Sequence, residues 1–201
     1  MPAPHRPTVP RKRVRFESEE YLVRSLGTDD ASDRWAQWMS EPELAQALNL
    51  PERRWSKADV AIYIEGFDQR TVLLLGIFDK SSGTHIGIFT VDINPATGQF
   101  ISNMLIGEPE YRHIGVMMSL TVPYRDYFFE TLGLKVALGS VLARNTAVIE
   151  YLRKTGWQLD RTIKGGAKSR RGGEPLDICL FSQSREAWRA WKKARAAGSE
   201  A

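Results

Sequence analysis

The sequence predicts a single α/β domain in which helices flank a mixed sheet of six or seven strands. Three consecutive apolar segments end at turn-forming sequences, two of which are DKSSG and NPATG, and this pattern is typical of an antiparallel meander. The third segment is followed by a long apolar helix and then by another strand. Because a helical crossover joins parallel strands, we predict that the fourth and fifth strands are a parallel pair.

Length and composition limit the class of protein. The chain has 201 residues, 42% of them hydrophobic, which suffices for one well-buried domain. The longest apolar run, residues 72–78, is far too short to span a bilayer, and the N-terminus lacks the apolar stretch of a secretory signal. A single cysteine, Cys179, excludes an internal disulfide. We therefore predict a cytoplasmic protein with no membrane partner.

The net charge of +4 comes from basic residues that cluster at three places along the chain. Such clusters can hold nucleic acid or a polyanionic cofactor, or they can be solvated tails and loops. We interpret the terminal clusters as solvated and expect no nucleic acid partner, since aromatic residues do not alternate with the basic ones. The clusters comprise Arg6, Arg11, Lys12, Arg13 and Arg15; Lys164, Lys168, Arg170 and Arg171; and Arg185, Arg189, Lys192, Lys193 and Arg195.

Three regions follow from this composition. Residues 1–15 hold four prolines and no acidic residue, and we predict that they form a disordered basic arm. Residues 16–183 form the predicted domain, and residues 184–201 form a C-terminal helix and tail. Trp188 and Trp191 share one side of that helix, and we expect them to pack on the core rather than on another chain.

The N-terminal half begins with a predicted strand at residues 21–26 and a helix at 28–39, which two aspartates would start. Pro42 and a second proline nine residues later are expected to interrupt the chain. Ser56, with Asp59 three residues on, predicts a capping box at the start of a second helix.

Strands and helices alternate in the rest of the chain. The long helix contains Pro123, which removes one backbone hydrogen bond and predicts a kink. Further strands are predicted at residues 72–78, 85–93, 99–106, 135–142, 157–163 and 176–182, and helices at 114–131, at 145–156 and from about 184.

The sequence EPEYRHIGVMM, residues 108–118, lies between the fourth strand and the long helix. A strand that turns into a helix N-terminus is a natural anion site, because the first backbone N–H groups of a helix have no partners within it. Such turns usually contain several glycines, so that the backbone can approach a phosphate, whereas this one has only Gly115. Alone, the motif indicates a weak phosphate-binding turn.

Together with a second motif, NTAVIEYLRKTGW at residues 145–157, this turn resembles the GNAT superfamily of CoA-dependent N-acetyltransferases. The family pattern is Arg/Gln-x-x-Gly-x-Gly/Ala at the start of a long helix, then an Asn after the next strand, then Lys-x-Gly-Phe/Trp. The sequence follows this pattern from Arg112 to Trp157 without a gap, and the similarity extends over residues 21–181. Ribosomal-protein alanine acetyltransferases are the subgroup that it resembles.

The resemblance implies a GNAT-like fold, acetyl-CoA as co-substrate and an acetyltransferase domain that modifies a primary amine. It also implies that backbone N–H groups of the turn hold the CoA pyrophosphate. Backbone donors at residues 104–106, where the fourth strand separates from the fifth, would stabilise the oxyanion. The family asparagine binds the pantetheine arm or orders nearby backbone. The cofactor-binding residues implied in this way are Leu105, Ile106, Arg112, His113, Ile114, Gly115, Val116, Met117 and Asn145.

The resemblance implies fewer catalytic residues than cofactor-binding residues. The frequent general acid of the family is a Tyr seven residues after the Asn, and Leu152 stands there; Tyr151 is predicted to face elsewhere, about 100° around the helix. The fourth strand lacks a carboxylate base, so Ser102 and Asn103 are candidates that hold a water, and Asn145 is the third catalytic candidate. Alternative bases, each interpreted first as a solvated surface residue, are Asp92, Glu108 and Glu110.

Two residues of the turn depart from the family pattern. Met117 stands where Gly or Ala is usual, and its side chain either turns into the core, which we favour, or crowds the pyrophosphate. His113 stands where Gly is frequent, and it is a bystander, a phosphate partner or a pH-sensitive modulator of binding, the first being favoured.

Three functions follow from these observations, and the one ranked last is a nucleic-acid or ribosome-associated protein that uses the basic clusters. The first is an acetyl-CoA-dependent N-acetyltransferase whose acceptor is a protein N-terminus, a small amine or an amino sugar, with a homodimer as one assembly. The alternative is a catalytically weak domain of the same fold that binds CoA or a partner protein. We predict no metal site.

Overall fold

A computed structural model of the protein describes residues 13–47, 52–112, 114–169 and 173–198. In these residues one sheet has eight strands, in the order β1-β2-β3-β4-β5-β6-β8-β7. Neighbouring strands are antiparallel except β5 and β6, which are parallel. The strands are β1 (Arg15–Glu17), β2 (Tyr21–Ser25), β3 (Val72–Asp79), β4 (His85–Asn94), β5 (Gln99–Ile106), β6 (Val136–Leu142), β7 (Gln158–Ala167) and β8 (Leu176–Ser184).

The predicted meander is confirmed as β3–β5, and the predicted parallel pair is confirmed as β5 and β6. The prediction of six or seven strands is one too low, because β1 has three residues and is too short for an alternating pattern to show. Val14 is buried and Arg15 begins β1, so the last residues of the predicted arm belong to the fold. Residues 1–12 of that arm lie outside the described residues.

Six α-helices are present in the described residues, and two of them correct the predictions. Ser32, rather than the earlier aspartates, caps α1, because Asp30 closes a preceding 3-10 turn with Gly27 and Arg24. Pro42 begins α2 instead of interrupting the chain, since a proline at the first helical position loses no bond. The helices are α1 (Asp33–Ser40), α2 (Pro42–Ala47), α3 (Lys57–Glu65), α4 (Ile114–Arg125), α5 (Thr146–Lys154) and α6 (Arg185–Gly198).

Two further details concern helix ends. The capping box of Ser56 and Asp59 is confirmed at the start of α3. Helix α4 continues through Pro123 and changes to a π-helix at Asp126–Thr131, so the long predicted helix is present in two geometries.

Alternating side chains of the sheet build two separate cores. On β3, Leu73 and Leu75 pack in a core with α4, α5 and α6, whereas Leu74 packs in a core with α1 and α3. We call these sides the α4–α6 face and the α1–α3 face. Trp188 of α6 is 0% exposed in the first core, which confirms the expected packing of the C-terminal helix.

The middle basic cluster lies partly in a strand. Lys164 belongs to β7, which runs to Ala167, so this strand extends four residues beyond the end predicted for it at residue 163. Arg170 and Arg171 lie outside the described residues. Among the helices of the described part of the chain, none is long and apolar enough to cross a bilayer.

Candidate active site

A gap opens between the two parallel strands. Strand β5 pairs with β6 at only three positions, the last of which joins Ile101 to Leu138. Beyond this apex the strands separate around a cavity of about 410 Å³, which α4 and α5 close on the α4–α6 face. The cavity is lined by Phe89, Ser102, Asn103, Met104, Met117, Leu120, Tyr124, Arg125, Leu138, Gly139, Ser140, Val141, Leu142, Asn145, Val148, Tyr151, Leu152, Trp157, Ala167 and Ile178.

The direction of the β5 backbone follows from its pairing with β4. The Gly107 N–H donates to the Ile86 carbonyl at 2.9 Å, and the alternation of an antiparallel ladder then directs the Leu105 N–H toward β4 as well. The N–H groups of Met104 and Ile106 therefore point toward β6, beyond the last β5–β6 pair. Of the predicted backbone donors, Ile106 and Met104 face the gap, whereas Leu105 does not, and its side chain packs on the α1–α3 face.

The turn after β5 is held tightly against α1. A Cβ atom on Gly107 would lie 2.0 Å from the Trp38 ring, so only glycine fits there. The Arg112 guanidinium donates to the Gly107 carbonyl and to Glu41, both at 2.6 Å, and the Arg112 N–H donates to the Pro109 carbonyl. Arg112 therefore shapes the turn through both groups, and its role as a phosphate donor stays a prediction.

Glu108 is buried beside this turn rather than solvated as predicted. It is 7% exposed, and its carboxylate accepts bidentate hydrogen bonds from Arg34 and a third from the Trp38 indole. The hydrogen bond from Arg34 lowers the pKa of Glu108. A paired carboxylate with a lowered pKa is a poor general base, so Glu108 is a structural residue that fixes α1 to the end of β5.

Helix α4 begins at the mouth of the gap, with Gly115 as its second residue. Val116 is fully buried in the core. Met117 is half-buried and packs against the same core, as favoured, and it also lines the cavity; whether it crowds the pyrophosphate stays a prediction. Ile114 begins the helix, and His113 lies outside the described residues.

Ser102 and Asn103 point to opposite faces of the sheet. The Ser102 hydroxyl shares a 2.6 Å hydrogen bond with the Tyr124 hydroxyl on the α4–α6 face. Asn103 is exposed on the α1–α3 face. The two side chains would therefore hold separate waters, one on each face, and their catalytic roles stay predictions.

Asn145 caps helix α5 and lines the cavity. Its side-chain oxygen accepts a 3.3 Å hydrogen bond from the Val148 N–H. Leu152, at the position of the family's frequent acid, is buried. A cap of this kind is worth about 1 kcal/mol, so removal of Asn145 affects folding as well as any role in binding.

Two tyrosines and an arginine are among the residues of the cavity wall that were missed as site residues. Tyr151 is buried and lines the cavity, so the prediction that it faces elsewhere is wrong. The reason is that α5 packs on α4, where the Tyr151 hydroxyl shares a 2.9 Å hydrogen bond with the Thr121 hydroxyl. Tyr124 and Arg125 are the others. The signal for Tyr124 is helical spacing, because Met117 and Tyr124 are seven residues apart on one side of α4.

Residues 21–158 match the family model described as "Acetyltransferase (GNAT) domain". This match covers more than half of the chain, and the protein belongs to the GNAT acetyltransferase family. It is therefore an N-acetyltransferase, an acyltransferase that uses acetyl-CoA. No curated protein sequence matches the chain.

Solved structures share the fold at low sequence identity. A GCN5-related N-acetyltransferase from Brucella melitensis has a TM-score of 0.75 at 18% identity, covering 94% of this chain and 86% of that chain. Ribosomal-protein-S5-alanine acetyltransferase from Vibrio fischeri has a TM-score of 0.71 at 19% identity, covering 87% and 98%. Spermidine N-acetyltransferase from Vibrio cholerae, solved in complex with CoA and spermine, has a TM-score of 0.73 at 15% identity, covering 84% and 98%.

Proposed function

We propose that the protein transfers an acetyl group from acetyl-CoA, bound in the gap between β5 and β6, to a primary amine that approaches from the α1–α3 face. The observation that carries this proposal is the end of β5–β6 pairing at Ile101 and Leu138. Beyond it, the N–H groups of Met104 and Ile106 are directed into the gap, where they can bind the pantetheine arm and the thioester oxygen.

The start of α4 supplies the pyrophosphate site in this proposal. The backbone of Gly115, Val116 and Met117 forms the first turn of a twelve-residue helix, whose dipole favours a bound anion. Asn145 lies on the opposite wall of the same cavity, where it can contact the pantetheine arm. The residues present therefore fit a CoA thioester.

The acceptor is the less constrained substrate. Asn103 is exposed on the α1–α3 face of β5, beside the gap, and can hold a water or the amine there. The sequence resemblance to ribosomal-protein alanine acetyltransferases, together with the Vibrio fischeri neighbour, favours a protein or peptide N-terminus over an amino sugar. A small polyamine is the next candidate. Cytoplasmic location and a homodimer stay predictions.

Proton removal from the amine has no side-chain base in the described wall, because none of the described lining residues is Asp, Glu or His. The acceptor must then lose its proton to water or arrive neutral. We expect kcat/KM to rise with pH up to the pKa of the amine, about 8 for an N-terminus and about 10 for a lysine-like amine. A plateau beginning below pH 7 would reveal a protein base and contradict this account.

Substitution of Gly115 tests the cofactor site directly. Gly115→Asp places a carboxylate in the first turn of α4 and should remove the thermal stabilisation that acetyl-CoA gives the wild type. Ala58→Asp is the matched control, because Ala58 is the exposed second residue of α3, on the other face of the sheet. An undiminished acetyl-CoA shift in Gly115→Asp would refute the proposed site.

Release of CoA with a panel of amines then separates the two functions. Turnover with an N-terminal peptide supports the enzyme. Stabilisation by acetyl-CoA without turnover on peptides, polyamines or amino sugars would instead support the alternative, a catalytically weak CoA-binding domain, which the lack of a base in the described wall favours.

A further inference from the structure

A buried arginine lies in the wall of the cavity. Arg125, the last residue of α4, is 1% exposed. Its Nη2 donates to the Thr155 hydroxyl at 3.3 Å, but its Nε and Nη1 atoms are buried and have no hydrogen-bond partner in the described part of the chain. Among the described residues, none forms an ion pair with it. Arginine stays protonated in proteins, so this is a buried cation without a counterion.

Aromatic rings surround this guanidinium. Its central carbon lies 5.3 Å from the ring centres of Trp157 and Trp188, and about as far from two tyrosines. Such contacts offset part of the cost of burying the charge, yet ring faces accept no strong hydrogen bonds from the free N–H groups. The adjacent Asp126 already accepts from Trp188 and Lys192. An anion in the cavity would complete the site if the guanidinium turned toward it, because both free nitrogens are buried in the conformation shown.

The position of Arg125 indicates which molecule carries that anion. It lies eleven residues into α4, about 16 Å from the start of the helix at a rise of 1.5 Å per residue. The ring of Trp157, which it contacts, packs 3.4 Å from the position of a Cβ on Gly139, the residue directly after the last β5–β6 pair. Arg125 therefore lies at the apex of the gap, opposite the end where CoA phosphates would bind.

The face of the sheet separates the acyl donor from the acceptor. Arg125 lines the cavity on the α4–α6 face, together with the proposed pyrophosphate turn, whereas the proposed function brings the acceptor from the α1–α3 face. The group that reaches Arg125 is then the far end of the acyl chain.

We propose that Arg125 binds a terminal carboxylate on the acyl group, so that the protein also uses dicarboxylic acyl-CoA thioesters of the succinyl type. This inference rests on the proposed function. The amine nitrogen forms a bond to the thioester carbonyl carbon, and the carbon–sulfur bond breaks. The amine proton passes to water and the thiolate takes up a proton, giving CoA and an amide that carries the carboxylate. The step has no oxidant or reductant.

Matched thioesters test this proposal. Succinyl-CoA and butyryl-CoA have acyl chains of equal carbon number, and only the first ends in a carboxylate. We expect the wild type to bind succinyl-CoA at least tenfold more tightly than butyryl-CoA, measured by calorimetry. In Arg125→Met the ratio of the succinyl-CoA affinity to the butyryl-CoA affinity should fall to about one, while the acetyl-CoA affinity changes less than threefold. Arg125→Lys should keep part of this ratio. Arg153→Met, an exposed arginine on α5, is the control and should keep all of it.

Each other outcome has a distinct meaning. Equal or weaker binding of succinyl-CoA by the wild type overturns the inference, even if Arg125→Met does not fold. Failure of the wild type to bind any of the three thioesters contradicts the proposed function instead. An Arg125-dependent preference for amino acids over the corresponding amines, with acetyl-CoA as donor, would show that the acceptor supplies the carboxylate and would also overturn the inference.

Discussion

Glu108 and Arg125 are both buried charges next to the same gap, but their surroundings differ. Glu108 lies at the end of β5 on the α1–α3 side, and Arg34 and Trp38 donate to its carboxylate. Arg125 lies at the apex of the gap on the α4–α6 side, and two of its nitrogens have no partner among the residues that the structure describes. The first charge is satisfied by the fold, and the second is the one that we propose a ligand in the cavity neutralises. Removal of the Glu108 side chain should therefore lower stability strongly, whereas removal of the Arg125 side chain should change binding more than stability.

Glu108→Ala should have the largest effect on stability. The substitution leaves the Trp38 indole and part of the Arg34 guanidinium without partners, and we expect a loss of about 3 kcal/mol in the free energy of unfolding. Urea denaturation at pH 7 measures this, with Glu110→Ala as control, because Glu110 is exposed two residues away. A loss below about 0.5 kcal/mol, the range of ordinary surface substitutions, would show that Glu108 does not hold α1 in place.

Acid should weaken the same contact. Because Arg34 lowers the pKa of Glu108 in the folded state, the ionised pair stabilises the fold above the unfolded pKa of about 4.3. This contribution is lost as the pH falls through the folded pKa. The difference in unfolding free energy between wild type and Glu108→Gln should be full at pH 7 and shrink below about pH 4. A difference that stays constant down to pH 3 would contradict the assignment of an ionised Glu108.

Arg125→Met should have the smallest effect on stability. It removes the cost of a buried, unneutralised cation along with its contacts to aromatic rings, and the two terms oppose each other. We expect the free energy of unfolding to change by less than about 1 kcal/mol in urea. If instead the loss equals or exceeds that of Glu108→Ala, Arg125 is a structural residue and the contrast between the two charges disappears.

Sequence patterns among residues that are close together in the chain predicted much of the fold. Turn sequences and apolar runs predicted the meander, and the helix between β5 and β6 predicted their parallel pairing. Strand β1 was missed because three residues show no period, and α2 was missed because Pro42 was interpreted as a break rather than as a first helical residue.

The site was predictable only where its groups are local in the chain. The spacing between Gly115 and Asn145 predicts a cofactor turn with backbone donors, and this assignment stays a prediction. Burial of Glu108 depends on Arg34, which is 74 residues away, and the surroundings of Arg125 depend on Trp157 and α6. Such contacts depend on how the helices pack on the sheet, so the local sequence pattern does not reveal which buried charges have partners.

Amide hydrogen exchange along β5, measured with and without acetyl-CoA, tests most directly the claim that the thioester binds between β5 and β6. The N–H groups of Met104 and Ile106 face the gap, and the Leu105 N–H already faces β4, so the strand carries its own control. We predict that acetyl-CoA slows exchange at Met104 and Ile106 and leaves Leu105 nearly unchanged. Binding of acetyl-CoA without protection at Met104 or Ile106 would contradict the placement of the thioester between β5 and β6.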